Sequence, residues 1–353
     1  MTSPAVLTAK FANDKAPTTA KCQSVGVPWM FLPPTNTAAE LSGVFSSARA
    51  ALGSILITGC DTFCGYSIAL EMLRHKGKTF SDVYVTCYKE TQLVQVLKNK
   101  GAATIVVVVP PVTDEQFMNG GTEVMVDMAG EADVSGMIVC TKLDMEKLQE
   151  LPSLKHLKAY EDAYERTKGR VKYASLVRLP VHMGLLWLIR QQIAMENKIR
   201  LPVNPDAKFT AVADADGGRA LYNMMIDEKI KPGMYDVTGT ELLTFNQVAQ
   251  IACKVFGKDV KFEKNGRQEL TEYLRQHGDV NDNEVALVID ILEAVSRGWL
   301  SVKTDTLKRM LGREPMTFNS YLEHNADGLP AQGRLRLSRC VPYPMPSFHA
   351  GIL

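Results

Sequence analysis

The sequence has no stretch apolar enough to cross a bilayer, since pure apolar runs such as Ile105 to Val109 fall far short of the roughly 18 residues that a spanning helix needs. Its seven cysteines (22, 60, 64, 87, 140, 253 and 340) form no CxxC pair, which removes a zinc ribbon and a thioredoxin-type redox site. The six histidines are isolated and no HExxH occurs, so no metal site is expected. Net charge is nearly absent: 40 basic against 39 acidic residues leave +1, and no overall attraction to nucleic acid or to anionic membrane follows. Met1 to Asn36 carries Lys10, Lys15 and Lys21 without an apolar run or an Arg, so it reads neither as a secretory signal nor as a mitochondrial leader. These absences predict a soluble, cytoplasmic chain without nucleic-acid, membrane or metal partners.

What is present is ordinary globular composition, 46% apolar and 22% charged over 353 residues, enough for one large domain or a domain with a lobe. Charge is unevenly spread. Met1 to Asn36 holds +2 and Leu329 to Leu353 holds +3, so the overall +1 leaves −4 for the body between them. Both ends are proline-rich, with Pro33-Pro34 at the front and Pro342, Pro344 and Pro346 at the back, which favours extended arms over helices. Trp29, Phe31, Tyr343 and Phe348 are unusually apolar for solvated tails, and each arm has one cysteine, Cys22 and Cys340. Basic, apolar arms around an acidic body predict homo-oligomerisation by arm exchange, with disulfides through Cys22 and Cys340 wherever the compartment is oxidising, such as a storage body or vacuole.

From Ser54 onward short β-branched runs alternate with helical segments. Strands are predicted at Ser54 to Thr58, Val83 to Cys87, Thr104 to Val109, Gly136 to Cys140 and Tyr173 to Val177, with helices at Tyr66 to His75, Glu90 to Lys100, Asp114 to Gly130 and His156 to Lys168. Such alternation specifies an α/β fold with a doubly wound parallel sheet. Beyond Pro180 the pattern turns helical, with helices predicted at Leu242 to Phe256, Arg267 to His277, Val285 to Ser296 and Thr304 to Leu311, giving a smaller, mostly helical C-terminal lobe. The predicted divisions are an N-terminal arm over 1–50, the sheet domain over 51–180, the lobe over 181–328 and a C-terminal arm over 329–353.

The first strand runs into Thr58-Gly59-Cys60-Asp61-Thr62-Phe63-Cys64-Gly65 and then a helix, the context of a glycine-rich dinucleotide loop. Such a loop uses its first glycine for the turn, a middle one for close approach of the backbone to pyrophosphate, and the last for helix packing. Gly59 and Gly65 fill the outer positions, whereas Thr62 takes the middle one. Asp61 adds a negative charge where phosphate would sit, a repulsion of about a kcal/mol at about 4 to 6 Å. After the second strand come Cys87-Tyr88-Lys89, without the acid that would read a ribose hydroxyl, so any bound dinucleotide is expected to be NADP with Lys89 on its 2′-phosphate. Otherwise no cofactor is predicted, and Lys89 reads equally well as a solvated residue opening a helix.

Lys158-Ala159-Tyr160-Glu161, then Tyr173 to Arg178 and Pro180, Tyr235-Asp236-Val237-Thr238-Gly239, Leu243-Thr244-Phe245, and Leu311-Gly312-Arg313-Glu314-Pro315 with Thr317-Phe318 follow in order from about Ser54 to Gly328. In these the chain resembles the NmrA-like branch of atypical short-chain dehydrogenases. The resemblance implies a Rossmann-like NAD(P)-binding domain, a pocket for substrate or partner near His182 and Met183, and a family that holds both reductases and dinucleotide-sensing regulators. A lone His at 182 reads first as structural, and Asp214, Asp216 and Arg219 read as a capped, salt-bridged helix start. Leu179 interrupts the Arg-Pro pair, and Gly101 to Cys140 reads as too short for the usual strand, helix and strand. Active members of the superfamily place Tyr four residues before the Lys as proton donor, and here that position is Leu154.

Two readings result. The altered loop and Leu154 favour a degenerate scaffold that is non-enzymatic and self-assembles through its arms, using Cys22, Trp29, Phe31, Cys340, Tyr343 and Phe348. The alternative is an NAD(P)-binding reductase or NADP-sensing regulator, using Gly59, Thr62, Gly65 and Lys89 for cofactor and Lys158 for catalysis.

Overall fold

The structure is a computed structural model that describes residues 55–57, 63–81, 83–85, 105–107, 136–277 and 282–326. Gly59, Thr62, Lys89 and both arms, with Cys22, Trp29, Phe31, Cys340, Tyr343 and Phe348, lie outside the described residues, as do the helices expected at Glu90 to Lys100 and Asp114 to Gly130.

Strands β1 (Ile55–Ile57), β2 (Val83–Val85), β3 (Ile105–Val107), β4 (Gly136–Lys142), β5 (Tyr173–Leu179) and β9 (Met234–Asp236) form one parallel sheet in the order β2-β1-β3-β4-β5-β9. Each pairing is in parallel register, for example Ile57 with Val85 on one side and with Val106 on the other. The chain therefore leaves β1 for β2, then crosses back over β1 to β3. That reversal makes β1 and β3 a topological switch point, and open α/β sheets bind ligands outside the carboxyl ends of strands at such a point. The segment expected to be too short for its elements in fact supplies two adjacent strands, since the 28 residues between Val107 and Gly136 exceed the dozen or so that a parallel crossover requires.

β4 is buried along all seven residues, as a strand covered on both faces must be. Its side chains alternate between two cores. Met137 and Val139 pack with Leu154, Leu157, Tyr160 and Leu176 on the face carrying helix α3 (Lys158–Thr167). Ile138 and Cys140 pack with Ile55, Ile57, Ile68 and Met72 on the other face, which carries α1 (Phe63–Arg74) and α4 (Asp214–Ile226). Between these come the single turn α2 (Met145–Leu148) and a 3₁₀ turn at Lys155–Leu157. Gly218 on α4 lets α1 approach closely, because a Cβ there would stand 2.9 Å from the Ser67 carbonyl oxygen.

The region after Pro180 is less purely helical than its sequence suggests. It adds β9 to the main sheet, a three-stranded sheet of β10 (Leu242–Leu243), β8 (Phe209–Val212) and β6 (Val181–His182), and a parallel pair of β11 (Lys261–Lys264) with β7 (Lys198–Leu201). Its other helices are α5 (Phe245–Phe256), α6 (Arg267–His277), α7 (Asp282–Ser296), α8 (Thr306–Leu311) and α9 (Phe318–His324). Helix α5 starts three residues later than its apolar pattern predicts because Thr244 and Gln247 form a reciprocal capping box that fixes the first turn. Helix α8 also starts late, at Thr306, since Thr304 is tied to β9 by its hydroxyl, which donates to the Asp236 carbonyl at 2.7 Å. Among the described residues no helix is long and apolar enough to cross a membrane, and no cluster of His, Cys, Asp or Glu could hold a metal ion.

Candidate functional site

Because the main sheet is parallel, the ends of β1, β4 and β5 share one edge, and the last residues of β4 and the first after β5 bring polar groups there. β4 runs two residues past the expected end at Cys140, to Thr141 and Lys142. Lys142 is 2% exposed, and its ammonium donates to the Pro180 carbonyl at 2.9 Å, so a buried cation is held beside the end of β5. Such a charge is costly to bury unless it is paired or hydrogen-bonded.

His182 follows in β6. It is buried, and its Nδ1 lies 2.6 Å from Asp214 Oδ1. A carboxylate only accepts, so Nδ1–H donates and the neutral ring keeps its lone pair on Nε2. Among the described residues Nε2 has no hydrogen-bond partner, and neither has the Thr141 hydroxyl. Burial pushes the His182 pKa below its ordinary value; Asp214 pulls it back up, while the Lys142 ammonium adds to the downward push. The ring is therefore neutral at neutral pH.

Asp214 is the first residue of α4, preceded by Ala213 as cap, so it meets the positive end of the helix. The expected side-chain cap is absent, whereas the expected salt bridges are present: Asp214 serves His182, Asp216 accepts from Arg313 at 2.5 Å and from the Met316 amide at 2.6 Å, and Arg219 reaches Glu71 on α1 at 2.8 Å. Gly184 keeps the far side of Asp214 open, as a Cβ there would lie 3.3 Å from Asp214 Oδ2 and 3.6 Å from the Tyr321 hydroxyl. Tyr321 accepts from Trp187 Nε1 at 2.7 Å. Burial, with Asp214 alongside, drives its phenol far above the usual range, the Trp187 bond offsetting this only in part.

The residues expected from the sequence fall elsewhere. Gly65 is buried in the first turn of α1. Lys158 is half exposed and pairs with Asp162 at 2.6 Å, a contact that raises its pKa. Leu154 is fully buried in the core under α3, so a hydroxyl there would meet apolar neighbours. Glu161 and Arg178, from the motifs that carry the family resemblance, do meet, at 2.8 Å. Theirs is a clamp between α3 and β5. Lys142 was not singled out by sequence because the apolar run before it stops at Cys140; a lysine continuing a fully buried strand in register was the available signal. A shallow concavity of about 390 Å³ lined by Asn204, Asp206, Lys208, Ser296, Arg297 and Ser301 shares no residue with this cluster.

No family model matches the chain, and no curated protein matches it by sequence. Solved structures do match in three dimensions. A Citrobacter sp. triphenylmethane reductase complexed with NADP(H) superposes with a TM-score of 0.63 at 16% identity, covering 76% of this chain and 99% of that one. A nucleoside-diphosphate-sugar epimerase from Staphylococcus aureus gives 0.61 at 17%, covering 76% and 99%. An Escherichia coli NADPH-dependent quinone oxidoreductase complexed with NADPH gives 0.59 at 14%, again covering 76% and 99%. At these identities the likeness establishes the fold, a Rossmann-like α/β sheet of the kind these enzymes share.

Proposed function

We propose that the chain is an NADP-type dinucleotide-binding protein of reductase character, on an NmrA-like scaffold. The observation that carries this is the gathering of Lys142, His182 and Asp214 at the carboxyl ends of β4 and β5, beside the strand reversal at β1 and β3. The solved neighbours complexed with NADP(H) and NADPH support this reading over the non-enzymatic scaffold. The described part of the cofactor region suits the group: α1 has no acid in its first turn, leaving its N-terminus favourable to phosphate, and Gly65 is buried there. When bound, such a dinucleotide would supply hydride. Gly59, Gly65 and the amides at the start of α1 would hold its pyrophosphate, Thr62 and Asp61 would weaken that hold, and Lys89 would set the preference for NADP. Purified protein is expected to carry near-UV absorbance from copurifying dinucleotide, or to acquire it on incubation with NADPH and gel filtration. Lys89→Glu should erase the preference over NADH, and an unchanged preference would contradict the role given to Lys89.

Self-association through the arms is a separate proposal, supported by their charge, apolar residues and Cys22 and Cys340. Sedimentation sizing with and without reductant, on wild type, Cys22→Ser and Cys340→Ser, decides it. A monodisperse monomer throughout would end it.

A further inference from the structure

We propose that His182 is the group through which this site exchanges a proton with its ligand, its Nε2 receiving the hydroxyl hydrogen of a substrate alcohol or returning it to a carbonyl oxygen. This deepens the dinucleotide reading and rests on it. Four observations converge. The imidazole is oriented by Asp214 through Nδ1 at 2.6 Å, which fixes the tautomer as the carboxylate of a catalytic triad does. Nε2 is buried without a partner among the described residues, whereas a buried polar atom left so costs about 1 to 3 kcal/mol and most are satisfied. Among the described residues the charged groups facing the ring are Asp214 from α4 and the Lys142 ammonium from β4, with the Tyr321 phenol of α9 close to Asp214. Finally, the position where related enzymes hold a tyrosine donor is Leu154, sealed in the core, so any proton must come from another group.

The balance closes with the dinucleotide of the parent reading as the hydride acceptor or donor. In the alcohol direction the O–H bond would break with its proton passing to Nε2 and a carbonyl left behind; the dinucleotide of the parent reading, when bound in its oxidised form, would supply the acceptor for the carbinol hydride. The imidazolium so formed is stabilised by Asp214. In the carbonyl direction a bound reduced dinucleotide would supply hydride to the carbon, and His182, once protonated from solvent, would pass the Nε2 proton to the oxygen. Since the ring is neutral at neutral pH, reduction should quicken as pH falls toward the range in which His182 takes up a proton.

The test has two arms on the full-length protein. In the first, ¹⁵N NMR of the ring reads the tautomer: Nδ1 protonated and Nε2 bare at pH 7 is expected, with Nε2 moving when phenol is added as a hydroxyl donor. The other tautomer, or no response to phenol, overturns the proposal. In the second, NADPH consumption with 9,10-phenanthrenequinone is followed against pH. His182→Gln should lower the rate about 10²- to 10⁴-fold and abolish the acid-favoured limb, and Asp214→Asn should do so in part. An unchanged profile in His182→Gln overturns the role of His182. Absence of NADPH binding in wild type instead overturns the parent reading, and the NMR arm then decides His182 alone.

Discussion

Two histidine–carboxylate clusters, each with one buried partner, sit along α4, and they differ in how completely they are closed. In the first, Glu71 of α1 is 4% exposed and every carboxylate oxygen is taken: Arg74 binds Oε2 at 2.8 Å, while His75 at 3.2 Å and Arg219 at 2.8 Å share Oε1. His75 also stacks on Tyr222 at 3.8 Å. Burial raises the Glu71 pKa, but the His75 hydrogen bond together with Arg219 and Arg74 outweighs it, and the net direction is downward. That cluster is a bolt between two helices. In the second, one Asp214 oxygen orients His182, and among the described residues the other nitrogen of the ring has no partner. A closed network stabilises a fold, whereas one with a vacant, oriented acceptor is suited to a ligand.

Cutting each cluster should therefore give opposite signatures. Glu71→Ala removes a buried carboxylate that three partly exposed cations share, and a loss of about 1 to 3 kcal/mol is expected, since Arg219 can turn to solvent. Denaturant midpoints should fall accordingly, while His182→Gln barely moves them. Equal losses would erase the distinction. Leu154→Ala should cost about 2 to 5 kcal/mol through the cavity it opens. Leu154→Tyr should overpack the same core by about 1 to 3 kcal/mol without raising turnover, and a gain in turnover would return the proton-donor role to that position.

Gly184→Ala is a finer probe, since its Cβ would press on Asp214 Oδ2 from 3.3 Å. About 1 kcal/mol of stability is expected to go, together with a visible change in the His182 ring resonances. Unmoved resonances would mean that Asp214 does not feel Gly184.

The smallest effect concerns pH. The folded-state pKa of His182 is below its unfolded value, so the unfolded chain takes up the proton first, and stability falls as pH drops below about 6.5. The Glu71 pKa is depressed as well, so its contribution is present above the ordinary carboxylate range and is lost as pH falls through its folded value. His182→Gln should flatten the upper limb of the acid profile and Glu71→Gln the lower limb. Thermal melts between pH 7 and 3 separate the two, and a swap of limbs would reverse the assignments.

Much of the fold was legible in the sequence because it is written in long periodic runs. Helix α6 spans Arg267 to His277 as predicted, and the five strands of the first half lie where β-branched runs placed them. Strands of two to four residues such as β6, β7, β10 and β11 are too short to show alternation, so the second half reads as more helical than it is. The candidate site was legible only in part. His182 was visible, but its partner Asp214 is 32 residues away and resembled a helix cap, and nothing local announces that pairing. Lys142 hid at the end of an apolar strand, and Lys158, prominent by motif, makes an exposed pair of the kind worth little.

The most direct test of the account is calorimetric titration of the full-length protein with NADPH and with NADH. Asp61 is expected to weaken phosphate binding by about 1 kcal/mol, about fivefold, without abolishing it. Saturable heat with NADPH, and weaker binding of NADH, is the predicted result. No saturable binding of either nucleotide would contradict the assignment of this sheet edge to a dinucleotide.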